Sequence, residues 1–206
     1  MISYLPLAHS FEQLLFVASL SYGSQIGYFG GDVLKLTDDC QVLKPTLFPS
    51  VPRIYNRIYD KIQARLKELT GMRNYVATKA ITSKLFYLEN YATYNYGFYD
   101  RIVCNKFKAI LGGNVRIMAT GSAPISVEVL NFLKVCFCCP IIEGYGQTES
   151  TAASCATLPH DSVAGHVGGP IPCCKIRLRD IPEMGYTAQD TPYPRGEVCF
   201  KGPSVF

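Results

Sequence analysis

Two short segments carry side chains able to handle a nucleotide. Gly121-Ser122-Ala123-Pro124 is small throughout, and Glu143-Gly144-Tyr145-Gly146-Gln147-Thr148-Glu149-Ser150 interleaves glycines with one aromatic and several oxygen donors. Small residues let a planar base lie close to the backbone, and Tyr145 offers an aromatic face for stacking. Thr148 supplies a hydroxyl, and loop N–H groups beside it can meet a phosphate. Glu149 is a hard oxygen ligand of the kind magnesium takes, usually one or two per site. Each also has a plainer reading: a G-x-x-P stretch makes a turn, an aromatic between glycines packs, and Thr148 or Glu149 can serve a helix start. The chemical reading gains from placement. Both segments follow short strand-like stretches, Val115 to Ala119 and Pro140 to Ile142, and open parallel sheets bind ligands outside the carboxyl ends of their strands.

The elements that must position these loops alternate along the chain. Phe11, Leu14, Leu15 and Ala18 recur at helical spacing, with Gly23 closing the segment. Gln25 to Phe29 is extended, Gly30-Gly31-Asp32 turns, Val33 to Val42 reads as a short helix ending before Pro45, and Thr46 to Pro49 as a strand. Pro52 then opens the clearest helix. Ile54, Ile58, Ile62, Leu66 and Leu69 share one face, a core-facing pattern for Ile58, Ile62 and Leu66, with charged residues on the others. Gly71 is its expected stop. Helices are expected between Tyr75 and Tyr99, and helical spacing returns from Ile102 to Leu111 before Gly112-Gly113. Ser126 can cap the next helix, with Glu128 favourable in its first turn. Strand, loop, helix, strand, loop predicts an α/β fold with a parallel sheet flanked by helices. Beyond Gly165, Lys175 to Arg179 alternates, and Gly196 to Lys201 does so in part, as antiparallel β-structure does. The expected division is therefore residues 1–164 and 165–206.

Composition narrows the function classes. The chain has 206 residues, 48% hydrophobic and only 17% charged, enough apolar material for a core and too little charge for disorder. A net charge of +4 with no basic run leaves no footprint for nucleic acid. Nine cysteines could suggest a disulfide framework, but their number is odd and the chain is core-rich, so free thiols are expected. Cys136-Phe137-Cys138-Cys139 lacks the paired spacing of a zinc site. The uncharged run from Gln13 to Gly31 is diluted by serines and glycines, as a packed helix followed by a strand would be.

Glu143 to Ser150 resembles the adenine-binding core motif of the adenylate-forming enzymes, and Thr120 to Pro124 resembles their adenine-flanking loop. Ile2-Ser3-Tyr4-Leu5-Pro6-Leu7-Ala8-His9 matches the motif that begins just beyond their phosphate loop. Phe48 to Tyr55, Gly165-His166-Val167-Gly168 and Lys201 to Phe206 are similar, more narrowly, to long-chain fatty acid–CoA ligases. The resemblance implies part of the large AMP-binding domain followed by the start of a β subdomain. It also implies a reaction in which a long-chain fatty acid and ATP, with magnesium, give acyl-adenylate, and CoA then displaces AMP. By the same resemblance Gly121, Ser122, Ala123, Pro124, Glu143, Gly144, Tyr145, Gly146, Gln147 and Thr148 form the ATP/AMP site. Thr148 touches the α-phosphate, Glu149 holds magnesium, and His9 lies near the reacting carboxylate; a core histidine is the plain alternative for His9. Val51, Pro52, Arg53, Ile54 and Tyr55 resemble the segment gating the acyl tunnel. The family's phosphate loop, hinge and small C-terminal domain are expected outside residues 1–206, which makes the chain an interior fragment expected to be inactive alone. Membrane association, at the cytoplasmic face of the endoplasmic reticulum or another organelle, is implied too. Two rival readings are a non-catalytic nucleotide- or acyl-binding truncation and an adenylate-forming ligase of different acid specificity.

Overall fold

The computed structural model describes all residues 1–206. Strand β1 (Ile2–Ser3), helix α1 (Ser10–Ser21) and strand β2 (Gly27–Tyr28) open the chain, the two strands pairing in parallel. The apolar stripe of α1 is not its most buried face. Glu12 and Ser19 are buried instead, and Leu14 stays 39% exposed. The reason is that the stripe faces a cavity, described below. Asp32 then caps a short turn by accepting the Leu34 N–H at 2.8 Å, and α2 (Leu36–Leu43) stops at left-handed Lys44, just before Pro45.

After β3 (Leu47–Ser50), Pro52 occupies the first position of α3 (Pro52–Lys67), where its missing N–H costs nothing. Ile58 and Ile62 are buried and Leu66 packs on the same core, as the spacing predicts. Each fully buried aliphatic side chain contributes about 1.5–3 kcal/mol. Gly71 corrects one expectation. α3 has already ended at Lys67, with the Glu68 N–H closing onto the Ala64 carbonyl and the Leu69 N–H onto the Leu66 carbonyl, and Gly71 begins α4 (Gly71–Tyr91) at φ 58°. A glycine at positive φ serves either side of a helix junction, so its presence alone does not tell a stop from a start.

Residues 97 to 111 form one irregular helical run: α5 (Gly97–Tyr99), a wide π turn over Asp100–Cys104, α6 (Asn105–Lys108) and a tight 3-10 turn, ended by Gly112. Strand β4 (Ile117–Thr120), helix α7 (Val127–Phe137) and strand β5 (Ile141–Tyr145) follow. Ser126 caps α7, its Oγ accepting the Val129 N–H at 3.2 Å. Glu128, in the first turn, accepts the Tyr59 hydroxyl at 2.6 Å and so ties α7 to α3.

The main sheet has the order β3-β4-β5-β6-β7, where β6 is Cys155–Ala156 and β7 is Gly169–Pro170. β3, β4 and β5 are parallel, while β6 and β7 add antiparallel pairs at one edge. Phe48, Met118 and Ile141 join Tyr55 and Ile62 of α3 and Leu130, Leu133 and Phe137 of α7 in one buried cluster. Lys175–Arg179 (β8) and Glu197–Lys201 (β9) pair antiparallel in a separate ribbon, with Arg179 and Glu197 ion-paired across it. The architecture is α/β, a mixed sheet flanked by helices, with antiparallel structure at the end of the chain as expected. No helix is long and apolar enough to cross a membrane. All nine cysteines stand as free thiols.

Candidate functional site

Ser50 of β3, Thr120 of β4 and Glu143 of β5 stand level in register. The carboxyl ends of these strands therefore coincide, and the two glycine-bearing loops leave side by side. A Cβ added to Gly121 would lie 3.2 Å from the Gly144 carbonyl oxygen, so side chains here would force the loops apart. Ser122 holds a left-handed φ of 70° at the turn out of β4.

Strand alternation divides the residues between two faces. Ile117 and Ala119 of β4 with Gly121 just past it, and Ile142 and Gly144 of β5 with Gly146 just past it, line a cavity of about 800 Å³. Phe11, Leu14, Leu15 and Ala18 of α1 form its opposite wall. The floor and walls are thus mostly apolar, and polar groups gather where the loops leave: His9, Ser122, Gln147 and Thr148 all line it. Thr120, 1% exposed, also borders the cavity and keeps a buried hydroxyl without a hydrogen-bond partner. The helical spacing of the α1 stripe was legible in the sequence. That it walls a cavity was not, because periodicity marks an apolar face without saying what lies against it.

His9 is the N-cap of α1. Its Nδ1 accepts the Phe11 N–H at 3.2 Å, which leaves Nε2 as the N–H of the neutral ring. The histidine is therefore held in one orientation at the cavity rim with a donor to spare.

On the other face, Glu143 is buried, and its backbone N–H donates to Thr157 Oγ1 at 2.8 Å. Burial raises its carboxyl pKa, opposed by His166, by Lys134 of α7 and by the Ile125 backbone N–H just past Pro124. Tyr145, two residues on, shares that face. Its ring is 36% exposed and lies 6.0 Å from the Phe200 ring of β9. The structure thus brings Gly121, Ser122, Gly144, Gly146, Gln147, Thr148 and His9 to one cavity, and sets Glu143 and Tyr145 on the reverse side of β5. Ala123 and Pro124 are exposed and lie outside the cavity wall.

The tip of the second loop is built to keep Thr148 and Glu149 in solvent. Gln147 and Ser150 cap each other: Ser150 Oγ accepts the Gln147 N–H at 3.1 Å and donates to the Gln147 carbonyl. Thr151 and Ala152 are both left-handed, which folds the chain back so far that a Cβ on Gly146 would overlap the Ala152 carbonyl oxygen. The chain end closes on this tip, Phe206 N–H donating to the Glu149 carbonyl at 2.9 Å and Thr151 Oγ1 to the Ser204 carbonyl at 2.7 Å. The Glu149 carboxylate joins no salt bridge. A solvated carboxylate beside an exposed hydroxyl and loop N–H groups would suit a hydrated divalent cation.

Val51 to Tyr55 lies at the start of α3, outside the cavity wall. Arg53 is exposed, Ile54 half-buried, and Tyr55 fully buried, its single hydroxyl proton shared between the Phe48 carbonyl at 2.9 Å and the Ala119 carbonyl at 3.1 Å. Cys138, within the cysteine-rich run, joins Asp100 and Cys104 around Lys84.

Solved structures with this arrangement include adenylation domains. The A-PCP didomain of carboxylic acid reductase from Segniliparus rugosus, solved with AMP, superposes with a TM-score of 0.72 at 25% identity, covering 100% of this chain and 25% of that one. The adenylation domain of a carboxylate reductase from Mycobacterium chelonae gives a TM-score of 0.72 at 26% identity, over 28% of its chain. The family model for AMP-binding enzymes matches residues 1–206, and the chain belongs to that family. Among curated relatives it is 46% identical to long chain acyl-CoA synthetase 7, peroxisomal, of Arabidopsis thaliana and 45% identical to human long-chain-fatty-acid–CoA ligase 1. The whole chain aligns in both cases but spans 29% of the relatives' length.

Proposed function

We propose that the complete protein carrying this chain is a long-chain fatty acid–CoA ligase. In the first step a fatty carboxylate attacks the α-phosphate of ATP, forming acyl-adenylate and releasing pyrophosphate; in the second the CoA thiol attacks the acyl carbon and AMP leaves. One observation carries the reading: an apolar cavity of about 800 Å³ ends at the strand edge where His9 and Thr148 meet it. An aliphatic chain fits such walls, and its carboxylate then lies among the polar groups of the rim.

The residues divide the work accordingly. His9 orients the carboxylate from Nε2, and Thr148 donates to the α-phosphate, where negative charge builds in the transition state. Gly121, Ser122, Ala123 and Pro124 wall the adenine on one side and Tyr145 stacks on the other, with Glu143, Gly144, Gly146 and Gln147 shaping that pocket. Support comes from the face Tyr145 shares with Glu143, whose carboxyl meets the Ile125 N–H at the outgoing end of the first loop. Glu149 holds magnesium, which supplies charge neutralisation on the phosphoryl oxygens. Val51 to Tyr55, which follows β3, gates the acyl tunnel. Residues 1–164 are the α/β part of the AMP-binding domain and 165–206 begin a β subdomain. An insoluble acyl substrate favours association with a membrane, at the cytoplasmic face of the endoplasmic reticulum or another organelle.

Fatty-acid-dependent exchange between ATP and labelled pyrophosphate tests the reading on the complete protein. Exchange with long-chain acids is expected, and Glu149→Ala should raise the magnesium concentration needed for half-maximal rate about 10-fold or more. Exchange driven only by aryl or short acids would shift the assignment to another adenylate-forming ligase, and nucleotide binding without exchange would leave a non-catalytic binding protein.

A further inference from the structure

At the amino end of β5, opposite the cavity, lies a cluster that adenylation chemistry does not use. Lys84 of α4 is 1% exposed, and its ammonium pairs with Asp100 while reaching Cys138 Sγ at 3.0 Å and Cys104 Sγ at 3.4 Å. Both sulfurs also approach the Val135 carbonyl, at 3.5 and 3.7 Å. The Asp100, Cys104 and Cys138 donor atoms all lie within 4.8 Å of one another, a spacing that would suit a metal ion. The Lys84 ammonium bonds all three and already supplies the positive charge a cation would bring, so the set is built as a thiol site.

A buried ammonium in contact with sulfur favours the thiolate. Hydrogen bonding from Cys104, together with Lys84, brings the Cys138 thiol down to about 7 against burial and the Asp100 carboxylate, whereas Cys104 is pushed up. The two thiols also differ in access. Cys104 is 1% exposed, but Cys138, the C-cap of α7, lines an open pocket of about 540 Å³ whose charged lining residues are Lys108 and Arg116. Low pKa, access and neighbouring cations are the marks of a cysteine that reacts rather than packs.

We propose that Cys138 is a modification site for small acidic disulfides, with Lys84 holding its thiolate and Cys104 as the resolving thiol. The Cys138 thiolate attacks one sulfur of the incoming disulfide, forming a mixed disulfide as the other half leaves as thiolate. Cys104 then attacks Cys138 Sγ, forming the Cys104–Cys138 bond, and the second half of the disulfide leaves as a thiolate that takes up the proton Cys104 releases. Two protein thiols are oxidised by two electrons, and the disulfide is reduced to two thiols. Lys108 and Arg116 attract the carboxylates of the incoming molecule.

Glutathione disulfide and the dicationic cystamine, applied to the complete protein at neutral pH with peptide mapping by mass spectrometry, test this. The wild-type protein should yield a peptide pair linked through Cys104 and Cys138. Cys104→Ser should accumulate the glutathione adduct on Cys138, and Cys138→Ser should leave Cys104 unmodified. Replacing Lys108 and Arg116 by alanine should slow glutathione disulfide about 3-fold or more and leave cystamine unchanged or faster. Modification of Cys104 in the Cys138→Ser protein, reaction at the exposed Cys173 with Cys138 untouched, or no dependence on the charge of the disulfide would each overturn the proposal.

Discussion

At the residue scale, Glu12 shows how a buried group sets a pH dependence. It is 0% exposed, accepts the Ser3 hydroxyl at 2.5 Å through Oε1, and leaves Oε2 without a partner. Burial raises its carboxyl pKa, with the Ser3 bond opposing. Below the ordinary carboxylate range Glu12 is neutral in the folded and unfolded chain alike and costs nothing. As pH climbs from that range through the raised folded value, the penalty for ionising it in place grows and then stays constant. Glu12→Gln keeps an acceptor for Ser3 and removes the charge. It should raise stability at pH 7 by about 1 kcal/mol, roughly 2–4 °C in Tm, with the gain vanishing near pH 4. Thermal melts across that range decide it; a gain equal at both ends would mean that the Glu12 carboxyl titrates alike in the folded and unfolded chain. Gly146 is the opposite kind of residue. The sequence marked it as one of the small residues beside a base, and the structure adds that the Ala152 carbonyl oxygen leaves no room for a side chain there.

At the scale of elements, Tyr55 explains how α3 is locked to the sheet. One buried hydroxyl serves the Phe48 carbonyl of β3 and the Ala119 carbonyl of β4, close to where the candidate loops depart. Tyr55→Phe leaves both carbonyls short of that donor in a dry setting and should cost about 1–2 kcal/mol in denaturant unfolding, with an unchanged m-value. The helical pattern of α3 and the Ser126 cap of α7 were legible from sequence, because spacing and capping act within a turn or two of chain. The Gly71 junction was misread, since the same backbone preference marks both ends of a helix.

At the scale of the molecule, the cavity lies between α1 and the main sheet, with α1 tied to β1 through the buried Glu12–Ser3 bond. If acyl chains occupy that gap, its depth sets the longest acid accepted. Ala18→Trp fills part of it and should shift the preferred acid toward shorter chains, with the rate for the longest acids falling about 10-fold or more while short acids are spared. Profiling the complete protein against acids of graded length reads this directly. A uniform loss across all lengths would place the acyl chain elsewhere.

Sequence alone determined the order and type of most elements, the two glycine-bearing loops that follow apolar strands, and the face of α3 that meets the core. All of these are written in contacts between residues a few positions apart, where propensity, period and turn chemistry act. Only the tertiary structure decided which face of β5 each site residue takes, that the α1 stripe walls a cavity, and that His9 caps a helix at its rim. It alone also gathered Lys84, Asp100, Cys104 and Cys138, which no local pattern links. Those arrangements depend on burial and charge compensation between distant segments, and such free energy has no address in any short window of the chain.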